Sequence, residues 1–155
     1  MKSASIQDIK KELQQLTQPQ LVDYCLRLAK YKKENKELLN YLLFESTAAQ
    51  NYIELVKVEV DNLFATVNYK QVFFAKKTLR KILRYCNKCI KHIGTKEAEI
   101  EILAHFCTSI QLSPLPISNY PVLFNMQQAQ LKKIYASIQT LHPDLQYDYL
   151  KLIDS

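Results

Sequence analysis

The residues with the clearest chemical potential lie in one acid-free segment, residues 69–93. It carries eight Lys or Arg residues and no Asp or Glu, whereas the formal net charge of the whole chain is only +6. Rows of basic side chains bind phosphates because they release the counterions condensed on a nucleic acid. The segment therefore predicts a polyanion-binding surface. Its predicted contacts are Lys70, Lys77, Arg80, Lys81, Arg84, Lys88 and Lys91.

Three aromatic residues flank this row of bases. Phe73, Phe74 and Tyr85 occur within the same segment. Aromatic rings beside a basic groove stack on the bases of single-stranded nucleic acids, largely without regard to sequence. We therefore predict these three as stacking residues of the same surface.

Two other interpretations fit the same row of bases. Acids on the neighbouring predicted helices can neutralise it, and long basic side chains also cover apolar surface while their charges stay in water. Alternatively, an acidic protein partner binds there. The acids that can lie against the row are Glu54, Glu59, Asp61, Glu97, Glu99 and Glu101.

The motif Cys86-x-x-Cys89-x-x-His92 has the residue types of a zinc site. Zinc needs four ligands that converge on one point, whereas positions three apart on a straight helix fan out around its axis. Both cysteines also fall on the apolar stripe of their predicted helix, and a buried free Cys acts as a small hydrophobe. We predict that Cys86 and Cys89 belong to the core and that the chain binds no metal.

Catalysis is difficult to assemble from this sequence. A single glycine, Gly94, excludes the glycine-rich loops that cradle nucleotide phosphates. None of the three histidines has a nucleophile and an orienting group near it in sequence. Glu97, Glu99 and Glu101 alternate along a helix, so they do not share a face as an acid–base pair would. We predict a protein that is not an enzyme and holds no cofactor.

The elements that must position these residues are all helices. Apolar residues recur every three or four positions in nearly every segment, and the clearest case is Ile53, Val56, Val60, Leu63 and Val67. The pattern predicts an all-α fold of about eight helices in stacked antiparallel hairpins, as an α-α superhelix or an irregular bundle. The predicted helices cover approximately residues 5–16, 17–31, 35–43, 47–68, 69–93, 95–110, the region of 131–141, and 143–152.

Capping residues mark several predicted helix ends. Ser5, Thr17 and Asn35 are predicted N-caps, and Gln20 stands where the capping box of the second helix needs it. Gly94 fits the position after a helix end, where left-handed geometry is required. Thr95 then caps the next helix, so the fifth and sixth helices are predicted to form an antiparallel hairpin.

Length and composition predict a single all-helical domain over residues 1–155. Residues 112–121 contain three prolines and interrupt the helices, either as a boundary between lobes or as a strap over the core. Four cysteines without an apolar leader segment predict a cytoplasmic protein with free thiols. The apolar runs are too short to span a bilayer, so no membrane partner is predicted.

Two stretches carry a resemblance to a known group of proteins. The run SIQDIKKELQQLTQPQLVDYCLRLA from Ser5 and the run AKKTLRKIL of the fifth helix resemble an uncharacterised family of all-helical bacterial proteins. The resemblance covers roughly residues 5–110. It implies helical hairpins and no particular activity.

Two functions follow from the sequence. The first is a non-enzymatic helical binding or scaffold protein with an unknown protein partner. The alternative is nucleic-acid binding through the basic face of the helix at about 69–93. The sequence indicates no oligomeric state.

Overall fold

The computed structural model describes residues 2–154, and all of its regular secondary structure is helical. This confirms the all-α class, because residues 2–154 contain no strand. The α-helices are α1 (Ile6–Gln14), α2 (Gln18–Tyr31), α3 (Lys33–Asn40), α4 (Ala49–Phe64), α5 (Val72–Ile93), α6 (Lys96–Leu112), α7 (Pro121–Gln139) and α8 (Pro143–Asp154). A π-helical turn at Tyr41–Glu45 and short 3-10 turns at Ser46–Ala48 and Ile117–Asn119 complete the set.

The chain divides into two compact units between Phe44 and Glu45. The amino-terminal unit holds α1, α2 and α3, and α2 packs against α3. The carboxy-terminal unit holds α4 to α8. The division does not fall in the Pro-rich segment 112–121, which lies inside the second unit. A single domain over residues 1–155 stays a prediction.

The first two helices begin as their capping residues predict. The Ser5 hydroxyl accepts from the Asp8 N–H at 3.2 Å, and the Asp8 carboxylate accepts from the Ser5 N–H in return. Thr17 and Gln20 form the same reciprocal pair at the start of α2, with Pro19 in the first turn. Both predicted caps are confirmed, because this chemistry is local to four residues.

The predicted cap at Asn35 is wrong. Helix α3 begins two residues earlier, at Lys33, and its N-cap Lys32 makes no side-chain capping bond. The Asn35 side chain instead donates from Nδ2 to the carbonyl of Leu28 at 2.8 Å. It thereby satisfies a carbonyl near the end of α2, where helices leave backbone acceptors without partners.

The boundary between α4 and α5 also differs from the prediction. Helix α4 ends at Phe64 rather than near residue 68, and α5 begins at Val72 rather than at 69. The Thr66 hydroxyl donates to the Leu63 carbonyl at 2.6 Å, the kind of local bond with which Thr competes against helix continuation. Lys70 therefore lies in the turn before α5 and not on the helix.

Helix α6 is the central element of the carboxy-terminal unit. It packs against α4, α5 and α7, and its packing is most extensive against α7. Apolar residues are buried on several sides of α6, as expected for a helix enclosed by others. The Phe106 ring is fully buried and lies 5.8 Å from the Phe64 ring of α4. The buried residues of α6 are Ala98, Ile100, Ile102, Leu103, Phe106, Cys107 and Ile110.

A tight connection joins α5 to α6. Gly94 has a φ of 76°, and its N–H donates to the Ile90 carbonyl at 2.8 Å. The Thr95 hydroxyl accepts from the N–H of Ala98 at 3.2 Å. The predicted roles of Gly94 and Thr95 are confirmed, and the two helices pack against each other.

The Pro-rich segment 112–121 is anchored to the carboxy-terminal unit. Leu115 is only 6% exposed, and the Ser113 hydroxyl donates to the Ile110 carbonyl at 2.6 Å. After α7, helix α8 begins at Pro143, and the Asp144 N–H donates to Nδ1 of His142 at 3.3 Å. The described residues contain no helix that is both long and apolar enough to cross a membrane.

Candidate nucleic-acid interface on α5

Helix α5 has two chemically different sides. Its 22 residues place the apolar positions three or four apart, so they form one continuous buried stripe. The bases fall between these positions and point away from the core. The buried residues are Ala75, Leu79, Ile82, Cys86, Cys89, His92 and Ile93.

The bases predicted as phosphate contacts lie on the outer side of α5 or just before it. Lys88 is half-buried, and the others are exposed. From Lys77 to Lys91 the row spans about 21 Å along the helix axis, at 1.5 Å per residue. The exposed bases are Lys70, Lys77, Arg80, Lys81, Arg84 and Lys91.

Two of the three acids of α4 pair with groups outside α5. Glu54 of α4 accepts from Nζ of Lys57 at 3.0 Å, and Asp61 contacts Nε2 of His105 at 2.7 Å.

Two of the three acids of α6 likewise pair with other groups. Glu99 pairs with Lys96 at 3.5 Å and accepts from the Ser137 hydroxyl at 2.7 Å, while Glu101 pairs with Lys57 at 3.5 Å. Within residues 2–154, no carboxylate forms an ion pair with Lys77, Arg80, Lys81, Arg84 or Lys91.

Two exposed aromatic rings stand at the amino-terminal end of this row. Phe73 is 63% exposed and Phe74 is 48% exposed, and their ring centroids lie 5.4 Å apart in an edge-to-face arrangement. The Lys77 ammonium lies 4.8 Å from the centroid of the Phe73 ring. An aromatic ring and a cation are thus adjacent on the surface, which is the pairing that single-strand binding surfaces use.

Tyr85, the third predicted stacking residue, has a different environment. It is half-buried, and Nζ of Lys88 lies 5.7 Å from its ring centroid. Burial raises the pKa of the Tyr85 hydroxyl, and the nearby Cys89 thiol raises it further. The phenol therefore stays protonated at neutral pH, and only part of its ring is open to a ligand.

The cysteines of α5 belong to the core, which confirms their predicted position. Cys86 is fully buried and Cys89 is 2% exposed. Burial raises the pKa of the Cys86 thiol to about 12. Because the thiolate is the metal ligand and the nucleophile, this thiol has neither reactivity at neutral pH. The described part of the chain holds no cluster of three or more His, Cys, Asp or Glu suited to a metal ion.

One polar feature of the fold escaped the sequence reasoning. Gln127 and Gln130 lie on the buried side of α7, between the fully buried Leu123 and Ile134. The signal for them is present in the sequence, because the positions 123, 127, 130, 134 and 138 follow helical spacing if glutamine is counted with the apolar residues. Long polar side chains are usually exposed, so the apolar pattern predicted for this helix begins only at Leu131.

Comparisons of this chain with protein-family models, with curated proteins and with solved structures find no match.

Proposed function

We propose that this chain is a non-enzymatic binding protein that holds the phosphate backbone of a nucleic acid against the basic face of α5. The basic face is the set of Lys77, Arg80, Lys81, Arg84, Lys88 and Lys91. One observation carries the proposal: most of these bases are exposed without an ion pair, while four of the six acids of α4 and α6 pair with bases outside α5. Internal neutralisation, the main competing interpretation, therefore lacks the contacts it needs.

The spacing of the bases suits a phosphate chain. Like charges three or four residues apart on a helix repel by a few tenths of a kcal/mol per pair, and a bound anion removes that repulsion. The row is about 21 Å long, and one strand of duplex DNA presents a phosphate every 3.4 Å along the helix axis. About six phosphates of one strand therefore lie within the length of the basic face.

The exposed Phe73 and Phe74 extend this surface beyond the charges. If a strand end or an unpaired base reaches the start of α5, stacking on these rings adds affinity of about 1–3 kcal/mol per base. We therefore propose that single strands bind at least as well as duplexes of equal length. The chain has no glycine-rich loop, and this binding requires no covalent chemistry and no cofactor.

Salt dependence of binding tests the proposal. With four to six phosphate contacts, log affinity for a short DNA duplex should fall against log salt with a slope of roughly −3.5 to −5.5. Fluorescence anisotropy of a labelled duplex over a range of salt concentrations measures that slope. No binding at about 50 mM salt contradicts the proposal.

A charge-reversed variant assigns the binding to α5. Lys81→Glu/Arg84→Glu should lose most of the affinity, because it removes two contacts and adds two repulsive charges on the same face. The matched control is Lys132→Glu/Lys133→Glu, which makes the same charge change at two exposed positions of α7. Equal losses in both variants would mean that net charge, and not the basic face, governs binding.

A second function, as a scaffold for another protein, is favoured by the amino-terminal unit. Among residues 2–44 only Tyr41 is buried, and several large apolar side chains are largely exposed. Exposed apolar patches of this kind mark protein-interaction sites. The most exposed examples are Ile6 at 82%, Tyr31 at 77%, Phe44 at 72%, Leu43 at 64% and Leu28 at 61%.

The scaffold function is tested by substitution within this surface. Chemical cross-linking in cells, followed by mass spectrometry, should identify a protein partner whose cross-links disappear in Leu28→Glu/Leu43→Glu. The control is Leu55→Glu/Val58→Glu, at two exposed apolar positions of α4. A partner that is captured equally by both variants does not bind this surface.

Three broader parts of the proposal accompany these functions. We propose that the helices act as stacked antiparallel hairpins that present rigid surfaces, that the protein works in the cytoplasm, and that it is related to the uncharacterised bacterial family that residues 5–110 resemble. Fluorescence microscopy of a tagged chain in its native cell tests the location.

A further inference from the structure

The carboxy-terminal unit contains a cavity that the basic face does not use. Its volume is 570 Å³, which is within the range of small-molecule sites. Residues of α4, α6, α7 and α8 line it, and no residue of α5 does. Its apolar walls are Leu112, Leu131, Ile134, Leu152 and Ile153.

Gln127 provides an unused acceptor in this cavity. The residue is only 8% exposed, and its Nε2 donates to the Cys107 carbonyl at 3.4 Å and to Oε1 of Gln111 at 3.1 Å. Its own Oε1 accepts no hydrogen bond from any described residue. Because Gln127 lines the cavity and an amide oxygen is a hydrogen-bond acceptor, a donor on a ligand can bind at this atom.

Glu101 provides a second acceptor, and it carries charge. Its side chain is 13% exposed. Nζ of Lys57 at 3.5 Å and Nε2 of Gln50 at 3.3 Å both donate to Oε1. No described residue donates to the other oxygen, Oε2. The cavity therefore has two acceptors without donors, one neutral and one anionic.

The charges around the cavity favour a cation over an anion. Three carboxylates, those of Glu54, Asp61 and Glu101, have only Lys57 and His105 as basic partners among the described residues. The group keeps a negative surplus even when His105 is protonated. Lys57 already contacts two of these carboxylates, so an anionic ligand would meet more repulsion than attraction here.

We propose that this cavity binds a small organic ammonium compound with an apolar body and a second hydrogen-bond donor. The ammonium group pairs with Glu101, the second donor binds Oε1 of Gln127, and the body lies against Leu131 and Ile134. The site shares no residue with the basic face. The tests of this site and the tests of nucleic-acid binding are therefore independent.

Four indole compounds of nearly equal size test each part of this site. Tryptamine carries an ammonium and an indole N–H, tryptophol replaces the ammonium by a hydroxyl, indole-3-propionate replaces it by a carboxylate, and 1-methyltryptamine lacks the indole N–H. We expect isothermal titration calorimetry on the full chain at pH 7 to rank tryptamine first. The other three should bind roughly tenfold more weakly or worse, because each loses a charged or buried hydrogen bond.

Two variants assign the preferences to the two acceptors. Glu101→Gln should lower the affinity for tryptamine to that of tryptophol. Gln127→Leu should make tryptamine and 1-methyltryptamine bind equally. The matched control is Glu97→Gln, which removes the same charge from the same helix outside the cavity and should change neither ratio. Circular dichroism checks that each variant is folded.

The proposal fails if the wild-type chain binds none of the amines at about 5 mM. It also fails if indole-3-propionate binds as tightly as tryptamine, or if Glu101→Gln keeps the preference for the cation. If Glu101→Gln does not fold, the ranking of the four compounds on the wild-type chain tests the proposed site by itself.

Discussion

Gly94 is the residue at which backbone geometry alone constrains the sequence. Its φ of 76° is the one positive value among the described residues, and a Cβ added there would meet nothing closer than the Lys91 carbonyl oxygen at 4.0 Å. Gly94→Ala should therefore destabilise the chain only through backbone strain, by about 1 kcal/mol. Urea unfolding measures the change.

A second substitution at the same position serves as the control. Gly94→Asn should cost less than Gly94→Ala, because Asn tolerates left-handed geometry better. Equal losses for the two variants would point to side-chain volume rather than to φ as the cause.

The buried thiols make stability depend on pH in the alkaline range. Burial raises the pKa of Cys86 and of Cys107 from 9.0 to about 12. Between these values the unfolded chain has lost the thiol protons and the folded chain has kept them, so the free energy of unfolding falls as pH rises from about 9 to 12. Urea midpoints at pH 8.5 and 10.5 should show the fall.

The contribution of the thiols is isolated by removing them. Cys86→Ala/Cys107→Ala starts from a lower stability because of the cavities it creates, but its stability should decline less steeply over the same pH range. Cys25→Ala, at an exposed position, should leave the slope unchanged. A parallel decline in all three proteins would assign the pH dependence to other groups.

At the scale of the element, the bases of α5 should reduce the stability of the helix that carries them. In Lys81→Glu/Arg84→Glu, new pairs of opposite charge form at i,i+4 with Lys77, Arg80 and Lys88. We expect this variant to be more stable than the parent by about 0.5 kcal/mol at low salt, because each such pair contributes a few tenths of a kcal/mol. Thermal unfolding at low and high salt measures the difference.

The same variant distinguishes the effect of these bases on nucleic-acid binding from their effect on stability. A row of bases kept for a ligand costs stability, so the variant that loses nucleic-acid binding should gain stability. The gain should shrink as salt screens exposed charges. A less stable variant would show that Lys81 or Arg84 makes contacts that hold the fold together.

The elements predicted best from sequence are those whose chemistry is local. Thr17 with Gln20, and Gly94 with Thr95, fix helix ends through bonds between residues at most four apart. The end of α4 and the role of Asn35 could not be predicted in the same way. Thr66 can either continue α4 or bond to the Leu63 carbonyl and end it, and Asn35 can either cap α3 or bond to the Leu28 carbonyl. The sequence alone does not decide between these alternatives.

At the scale of the whole chain, the two units differ in how much they bury. Among residues 2–44 only Tyr41 is buried, whereas α5 and α6 each bury seven residues. Segments with few buried contacts open at low free energy. We expect backbone amides of α1 and α2 to exchange at least a hundredfold faster than those in the middle of α5 and α6.

Native-state hydrogen exchange followed by NMR measures this difference helix by helix. Exposed residues such as Tyr147 of α8, a helix with no buried residue, provide an internal reference within the carboxy-terminal unit. Similar protection in α2 and α5 would contradict the expectation and indicate that the amino-terminal unit is covered by apolar contacts in solution.

The cavity and the division at Phe44 were beyond the reach of sequence reasoning. Both depend on which helices meet, and helical periodicity reports only which side of each helix is apolar. Gln127 illustrates this limit. Its amide nitrogen is held by the Cys107 carbonyl and the Gln111 carboxamide of α6, and its oxygen is available to a ligand only because of that contact.

The deep anchoring of α5 has a consequence for the thermodynamics of any contact on its outer side. Because seven of its residues are buried, the backbone that carries the bases is fixed before a ligand arrives. Binding then requires no folding of the surface and buries little apolar area. The heat capacity change of association should accordingly be small, and much smaller than for segments that order as they bind.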